Sequence, residues 1–232
     1  MADATPPSRI DTGLDRLYAN RFSAADRRAK ERTWGVICRD FLQRYIAPDA
    51  VLLDLGAGYC EFLNQIRAGR KVAVDLNPDT IAAAGPGVEV LAIPFERLGG
   101  ALPPSSVDVV FASNVFEHLR TPDSLIALLE VVHELLRPGG RLIVLQPNVR
   151  RVGPAFWDFV DHTLPLTEKG MAEALRLSGF AVEECRARFL PYTFKSRLPA
   201  WPALVRLYLR LRPAQWLFGR QMFVVARRPE AR

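Results

Sequence analysis

The sequence predicts an α/β fold built on a doubly wound, largely parallel sheet, and two apolar runs carrying carboxylates predict it. The first, Val51-Leu52-Leu53-Asp54-Leu55, is followed by Gly56-Ala57-Gly58 and then by a helix-like stretch. The second, Lys71-Val72-Ala73-Val74-Asp75, ends nineteen residues beyond Gly56 in another acid. Strand, glycine turn, helix, strand and terminal acid are the parts of the nucleotide-binding half of such a fold. The glycines let the backbone approach a ligand and tolerate positive φ. The second acid is spaced to accept hydrogen bonds from ribose hydroxyls.

Residues 1–12 are polar and proline-containing and are expected to be disordered. Residues 14–46 read as two helices, with Tyr18, Phe22, Trp34, Ile37, Phe41, Leu42 and Tyr45 on apolar faces and Arg27, Arg28, Lys30, Glu31 and Arg32 on a charged one. Strand one is expected at 50–55, its helix at 60–68 and strand two at 71–75. Pro78 suits the first turn of a short helix, ended by Gly85-Pro86-Gly87. Strand three follows at 88–92, and residues 98–106 are loop by composition. After strand four at 107–112, Thr121-Pro122-Asp123 opens a helix to Leu136, which Pro138-Gly139-Gly140 stops. Strand five spans 141–146, Thr167-Glu168-Lys169-Gly170 opens another helix, and strand six spans 181–189. An insertion from Pro191 to Arg220 precedes the last strand, Gln221 to Ala226. Ligands of such sheets gather at the strand C-terminal ends.

Charge discriminates between nucleotides. A dinucleotide site wants G-x-G-x-x-G with pyrophosphate on the helix N-terminus, but Glu61 occupies the third glycine position. With Asp54 nearby, the turn repels a pyrophosphate and tolerates a sulfonium with an ammonium. S-adenosylmethionine fits that charge better than NAD.

Four segments then resemble class I S-adenosylmethionine-dependent methyltransferases: Leu53-Asp54-Leu55-Gly56-Ala57-Gly58, Ala73-Val74-Asp75-Leu76-Asn77-Pro78, Ser106 to Leu119 including Asn114 and Glu117-His118, and Leu135 to Val144. The resemblance covers roughly 48–190 and is similar to the bacterial branch acting on small molecules and cell-surface glycans. It implies a Rossmann-like seven-stranded sheet with an antiparallel last strand, an N-terminal helical lid at 1–47, a cofactor-binding core at 48–190 and a basic insertion with the last strand at 191–232. S-adenosyl-L-methionine is the implied cofactor, held by Asp54, Gly56, Gly58, Asp75, Leu76, Pro94, Phe95 and Asn114, with Arg21 placed to pair its carboxylate. Two departures stand out. Cys60 replaces a usual third glycine, and Val90 to Phe95 lacks the acid that often holds the adenine amino group.

Where the acceptor is a hydroxyl, methyl transfer also needs a base. His162, beside Asp161 in the long loop after strand five, is the favoured candidate; Asp158 is a second carboxylate there. His118 follows strand four, and its common family role is to shape the loop. His133 lies mid-helix and reads as structural. The expected reaction is O-methylation of a small molecule or of a glycan or glycolipid precursor. A cofactor-binding scaffold without turnover and an RNA-modifying enzyme are the alternatives. The segment around Gln146-Pro147-Asn148 lacks the Asn/Asp-Pro-Pro-aromatic signature of amino-methylating nucleic-acid enzymes, which argues against a base methyltransferase though not against other RNA enzymes; a nucleic-acid partner is not the expected one.

Three cysteines are too few and too scattered for a disulfide framework or a thiolate zinc site, and no metal is expected. No apolar run has the length of a membrane span, and the N-terminus lacks a signal-peptide core, so a cytoplasmic protein is expected. The net charge of +6 is uneven: from Arg186 onward eleven basic residues face one acid, +10, leaving −4 for the first 185 residues. Such a tail attracts phosphates, anionic lipid or acidic glycan. Trp201 to Arg212 reads as an amphipathic helix. It is expected either to approach the inner face of an anionic membrane bearing a lipid-linked substrate, or to pack on the sheet edge or in a homodimer interface.

Overall fold

The computed structural model describes residues 24–192 and 201–230. In chain order the elements are α1 (Ala24–Asp40), β1 (Val51–Leu55), β2 (Arg70–Val74), α2 (Asp79–Ala83), β3 (Val88–Leu91), α3 (Leu98–Ala101), β4 (Val107–Ser113), α4 (Pro122–Leu135), β5 (Leu136–Pro147), α5 (Val149–Val152), α6 (Glu168–Leu177), β6 (Ala181–Arg186), α7 (Pro202–Arg210), α8 (Arg212–Phe218) and β7 (Gln221–Arg227).

The seven strands form one sheet in the order β3-β2-β1-β4-β5-β7-β6. β1 pairs in parallel with both β2 and β4, so the strand order reverses beside β1. β7 inserts antiparallel between β5 and β6. This is the Rossmann-like sheet with an antiparallel last strand.

Side chains of a strand alternate between its two faces, and both faces are covered. Leu53, Leu55, Val110, Ala112, Leu142 and Val144 meet a layer containing Leu125, Leu129 and Val132 of α4 and Met171 and Leu175 of α6. Leu52, Val109, Phe111, Ile143 and Phe223 meet Trp34 and Ile37 of α1 with Phe41. The near-continuous apolar runs of β1 and β4 thus reflect two-sided burial. At the centre of the second layer Phe111 stacks on Phe62 at 4.0 Å between centroids, with Trp34 edge-on at 6.0 Å.

Four expectations need correction. Residues 98–106, expected as loop, open on the short helix α3, Leu98–Ala101, whose Leu98 is buried. The helix expected at 60–68 does not form; the segment winds through isolated turns, Asn64 N to Cys60 O, Gln65 N to Phe62 O and Ile66 N to Phe62 O. Strand six ends at Arg186 rather than 189, because Phe189 turns inward to the aromatic cluster of Phe41 and Phe223. Strand five starts at Leu136, since Gly139 in the left-handed region lets the Pro138-Gly139-Gly140 turn bond to Arg228.

Of the two N-terminal helices expected, α1 is followed only by a 3-10 turn, Leu42–Tyr45. Trp34, Ile37 and Phe41 are buried against the sheet, and Arg28, Glu31 and Arg32 are exposed. Tyr18, Phe22 and Arg21 lie outside the described residues.

The insertion divides its faces. Leu209 of α7 is buried, and Val205 and Tyr208 pack beside it. Tyr208 Oη donates to Phe189 O at 2.5 Å, and Arg206 pairs with Asp40 of α1 at 2.8 Å. The opposite side leaves Leu204, Leu207, Leu211, Trp216, Leu217 and Phe218 exposed. Among the described residues no helix is long and apolar enough to cross a membrane.

Candidate active site

The glycine turn leaves β1 at the switch point. Gly56 and Gly58 have φ of 64° and 53°. Gly56 N donates to Val74 O at 2.8 Å, and a Cβ on Gly56 would lie 2.7 Å from Val115 Cγ2. Only glycine keeps that approach. Cys60, where the family has its third glycine, takes the glycine conformation itself, φ 55°. Its thiol is buried, and burial followed by Asp54, Glu61 and Asp75 pushes its pKa up to about 12. A thiol so held is inert.

Asp75 ties this turn to β2. Its Oδ2 accepts from Gly58 N at 2.7 Å and its Oδ1 from Asn77 N at 2.8 Å. A carboxylate has about four acceptor positions, so lone pairs remain there for a further donor such as a hydroxyl. Burial raises its pKa despite the Asn77 and Gly58 N–H groups. Asp54 is buried in β1, and burial, then Asp75 and Glu61, raise its pKa well above the usual carboxylate range. Glu61 is not the bare charge expected from its position: Lys30 of α1 pairs with it at 2.9 Å. The turn still concentrates three carboxylates against one ammonium. That excess suits the sulfonium and ammonium of S-adenosylmethionine.

Val74 of β2 is in register with Leu91 of β3. Leu76, 42 % exposed, and the half-buried Pro94 and Phe95 thus follow the C-terminal ends of two adjacent strands. These offer apolar contact to a purine. Asn114, just past β4, is exposed at φ 54°, and its N–H donates to Leu145 O at 2.9 Å.

The candidate proton-handling residues converge from two loops. His118 lies in the 3-10 turn Phe116–His118 after β4. The loop after β5 returns Thr163 N and Leu164 N to Glu117 O at 2.8 and 3.0 Å, which fixes one loop on the other. The His118 and His162 rings stand 5.1 Å apart, edge to face. Phe156 and Phe159 enclose His162 at 4.8 and 4.9 Å.

Asp161, adjacent to His162 in sequence, reaches the other histidine: His118 Nδ1 is 3.2 Å from Asp161 Oδ2 and 3.0 Å from Asp161 O. Both oxygens only accept, so Nδ1 carries the proton and Nε2 of the neutral ring keeps its lone pair. His118 is also the last and smallest of the groups acting on the Asp75 carboxyl, which it draws down. Asp158 is exposed and His133 packs edge-on against Phe180.

Sequence reasoning missed Glu117 as a site residue. It is 1 % exposed, burial pushes its pKa up to about 7, and its Oε2 has no hydrogen-bond partner. A carboxylate directly before His118 was the available signal, but a lone Glu in a loop gives no sign of burial.

A model of the methyltransferase domain family matches residues 53–144. The Mycolicibacterium smegmatis protein named "Probable S-adenosylmethionine-dependent methyltransferase" is 29% identical over 165 residues, 67% of this chain and 62% of that protein. "Probable methyltransferase ltbC" of Aspergillus luteorubrus is 25% identical over 158 residues, 60% of this chain and 55% of that protein. The matches thus span less than two thirds of the length of either relative. A Haloferax volcanii methyltransferase solved in complex with the Trm112 methyltransferase activator superposes with a TM-score of 0.66 at 18% identity, over 97% of this chain and 100% of that one. With four motifs in order, the sheet topology and the acidic glycine turn, residues 53–144 match the methyltransferase domain family, and the chain is similar to S-adenosylmethionine-dependent methyltransferases.

Proposed function

We propose that this chain transfers the methyl group of S-adenosylmethionine to a hydroxyl of a small molecule or of a glycan precursor. The convergence of Glu117, His118, Asp161 and His162 from the loops after β4 and β5 is the observation that carries it. The cofactor supplies an electrophilic methyl on a sulfonium. The protein's work is then to bind and orient, and to take a proton. The glycine turn admits the cofactor backbone-close, Asp75 accepts from its ribose, and Asp54 opposes its positive charge. At the acceptor side the cluster meets the two needs of a hydroxyl nucleophile. Imidazole takes up a proton near neutral pH, and the phenylalanines around His162 exclude water.

The acceptor reading extends to a lipid-linked precursor at an anionic membrane. The support is the exposed apolar side of α7 and α8, which carries Arg210 and Arg212 and has no acid between Trp201 and Gly219. Helices of this composition lie at the membrane interface. Peripheral attachment to a cytoplasmic membrane face follows.

Two measurements test the function. Calorimetry with S-adenosylhomocysteine is expected to show binding that Asp75→Ala weakens severely. Incubation with methyl-labelled S-adenosylmethionine and cell-extract fractions is expected to label a small molecule, glycan or glycolipid. Label in RNA instead, or binding without any turnover, would overturn the proposed reaction.

A further inference from the structure

The cluster has a composition that acid–base chemistry does not require. One ligand-competent atom each from Glu117, His118 and His162 lies within 4.8 Å of the other two. Two imidazoles and one carboxylate on one side of a cation leave its other positions open, the arrangement of metal centres that bind substrate directly. Oε2 of Glu117 is buried and lacks a hydrogen-bond partner, although leaving a buried carboxylate oxygen unsatisfied costs free energy. A cation answers that need.

The hydrogen bonding around His118 points the same way. Its Nδ1–H is held by the Asp161 carboxylate and carbonyl. Nε2 is left as the coordinating atom, with an acid behind the ring. This is the usual outer support of a metal-bound histidine, fixing its tautomer and raising its basicity. Glu117 and His118 come from the turn after β4 and His162 from the loop after β5. The Thr163 and Leu164 N–H bonds to Glu117 O hold these loops together, so the three donors are largely preorganised.

We propose that Glu117, His118 and His162 bind one divalent cation of the zinc class, which coordinates the acceptor hydroxyl. Imidazole with carboxylate favours such borderline ions over magnesium, which prefers oxygen ligands and retains water. Coordination lowers the pKa of a bound hydroxyl as it does that of bound water. With both imidazoles engaged by the ion, the proton of the broken O–H bond leaves to solvent rather than to a histidine, and the electron pair stays on oxygen as the nucleophile. The ion keeps its oxidation state. The donor spacing contracts by the small loop movement that bonds of about 2 Å require. Cysteine scarcity, from which no metal is expected, excludes only thiolate sites. The hydroxyl step rests on the proposed O-methylation, whereas ion binding does not.

Protein stripped with a chelator and titrated with zinc chloride and with manganese chloride in a calorimeter tests the site. One equivalent of zinc is expected to bind. Glu117→Gln and His162→Asn are expected to weaken binding more than 10-fold. Asp161→Asn, which leaves all three ligands, should weaken it about 10- to 100-fold, as losses of supporting partners do. His133→Gln should bind like wild type. Circular dichroism on each variant separates lost binding from lost fold, and cobalt absorption gives the coordination number of whichever variants fold. Stripped wild type that is folded and binds no ion overturns the site. So does binding that both ligand substitutions leave unchanged.

Turnover separates this inference from the function it rests on. Full hydroxyl methylation by stripped protein in chelator leaves O-methylation standing and overturns the metal's role. Ion binding with methylation only of nitrogen or carbon acceptors keeps the site and overturns both the hydroxyl reading and the step drawn from it.

Discussion

Asp54 is held where its protonated form is favoured, by burial and then by the charges of Asp75 and Glu61. In the unfolded chain an aspartate titrates near about 3.9. A carboxyl whose folded pKa is raised binds its proton more tightly when folded. Its contribution to stability is therefore full below the unfolded value and is lost as pH rises through the folded one. At neutral pH the ligand-free protein carries that loss, and a cationic ligand offsets it. Asp54→Asn is expected to melt higher than wild type at pH 7 without ligand. The gain should reach at least ~2 °C, the shift of roughly 1 kcal/mol in a chain of this size. The difference should close toward pH 4, and the variant should bind S-adenosylhomocysteine more weakly. Melts from pH 4 to 8, paired with calorimetry, measure both; a neutral-pH melt below that of wild type would contradict the account. Cys60 poses a second test. At φ 55° a side chain costs about 1–2 kcal/mol, and branching at Cβ makes it worse. Cys60→Gly should retain cofactor binding with stability within ~1 kcal/mol of wild type, while Cys60→Val should lose more than ~2 kcal/mol in denaturant unfolding.

At the scale of elements, the basic tail is largely structural. Arg228 follows β7, and its Nη1 donates to the carbonyls of His133, Glu134 and Leu136 at 2.9, 3.1 and 2.6 Å. It thereby caps the C-terminal end of α4, where unpaired carbonyls concentrate negative charge. Arg227 pairs with Glu183, Arg206 with Asp40, Arg186 with Glu184, and Arg188 lies over the Trp216 ring. Replacing Arg228 with Met should cost about 1–3 kcal/mol in urea unfolding, the range for buried hydrogen bonds to a charged group, and should leave cofactor affinity unchanged. Charge counted along a sequence does not reveal this pairing, because Arg228 and α4 lie more than ninety residues apart. What was legible were elements whose pattern is local. β1, β2 and β4 show as apolar runs because both their faces are buried, and α4 shows through Thr121, whose side chain accepts from Ser124 N as its cap. The turns at 60–68 were not legible. Phe62, Leu63 and Ile66 have helical spacing, yet Gly58 and Cys60 at positive φ misdirect the chain just before it. In the candidate site, the acids and glycines of the turn after β1 could be placed together from spacing. The partner of Asp161 could not, since His118 reaches it across 43 residues through loop packing that no local pattern encodes.

Across the whole molecule, α1 joins two surfaces. Lys30 near its start reaches Glu61 beside the glycine turn, and Asp40 at its end holds Arg206 of α7. Ten residues of helix separate them, ~15 Å at 1.5 Å per residue. The exposed side of α7 and α8 is thus carried on the layer that borders the cofactor turn. It displays Trp201 and Trp216, 63% and 67% exposed, together with Leu207, Leu217 and Phe218. An apolar surface of this kind is a candidate interaction site. Of the three arginines between Trp201 and Arg212, Arg206 is committed to Asp40, which leaves Arg210 and Arg212 for an anionic surface. Each basic residue near such a surface is worth about 1 kcal/mol, so Arg210→Gln with Arg212→Gln should weaken binding to phosphatidylserine-containing vesicles by ~2 kcal/mol, roughly 30-fold. Arg206→Gln should weaken it far less. Binding should also fall as salt rises, because the field decays over about 10 Å at 0.1 M. Leu207→Ser with Phe218→Ser should remove the part of the affinity that persists at high salt. Vesicle co-sedimentation between 50 and 500 mM salt, roughly a threefold span of Debye length, reads both components. Equal binding to neutral phosphatidylcholine vesicles, or none to either kind, would leave this face without a membrane role, and a variant that instead changes the sedimentation velocity of the free protein would identify it as a contact between copies of the chain.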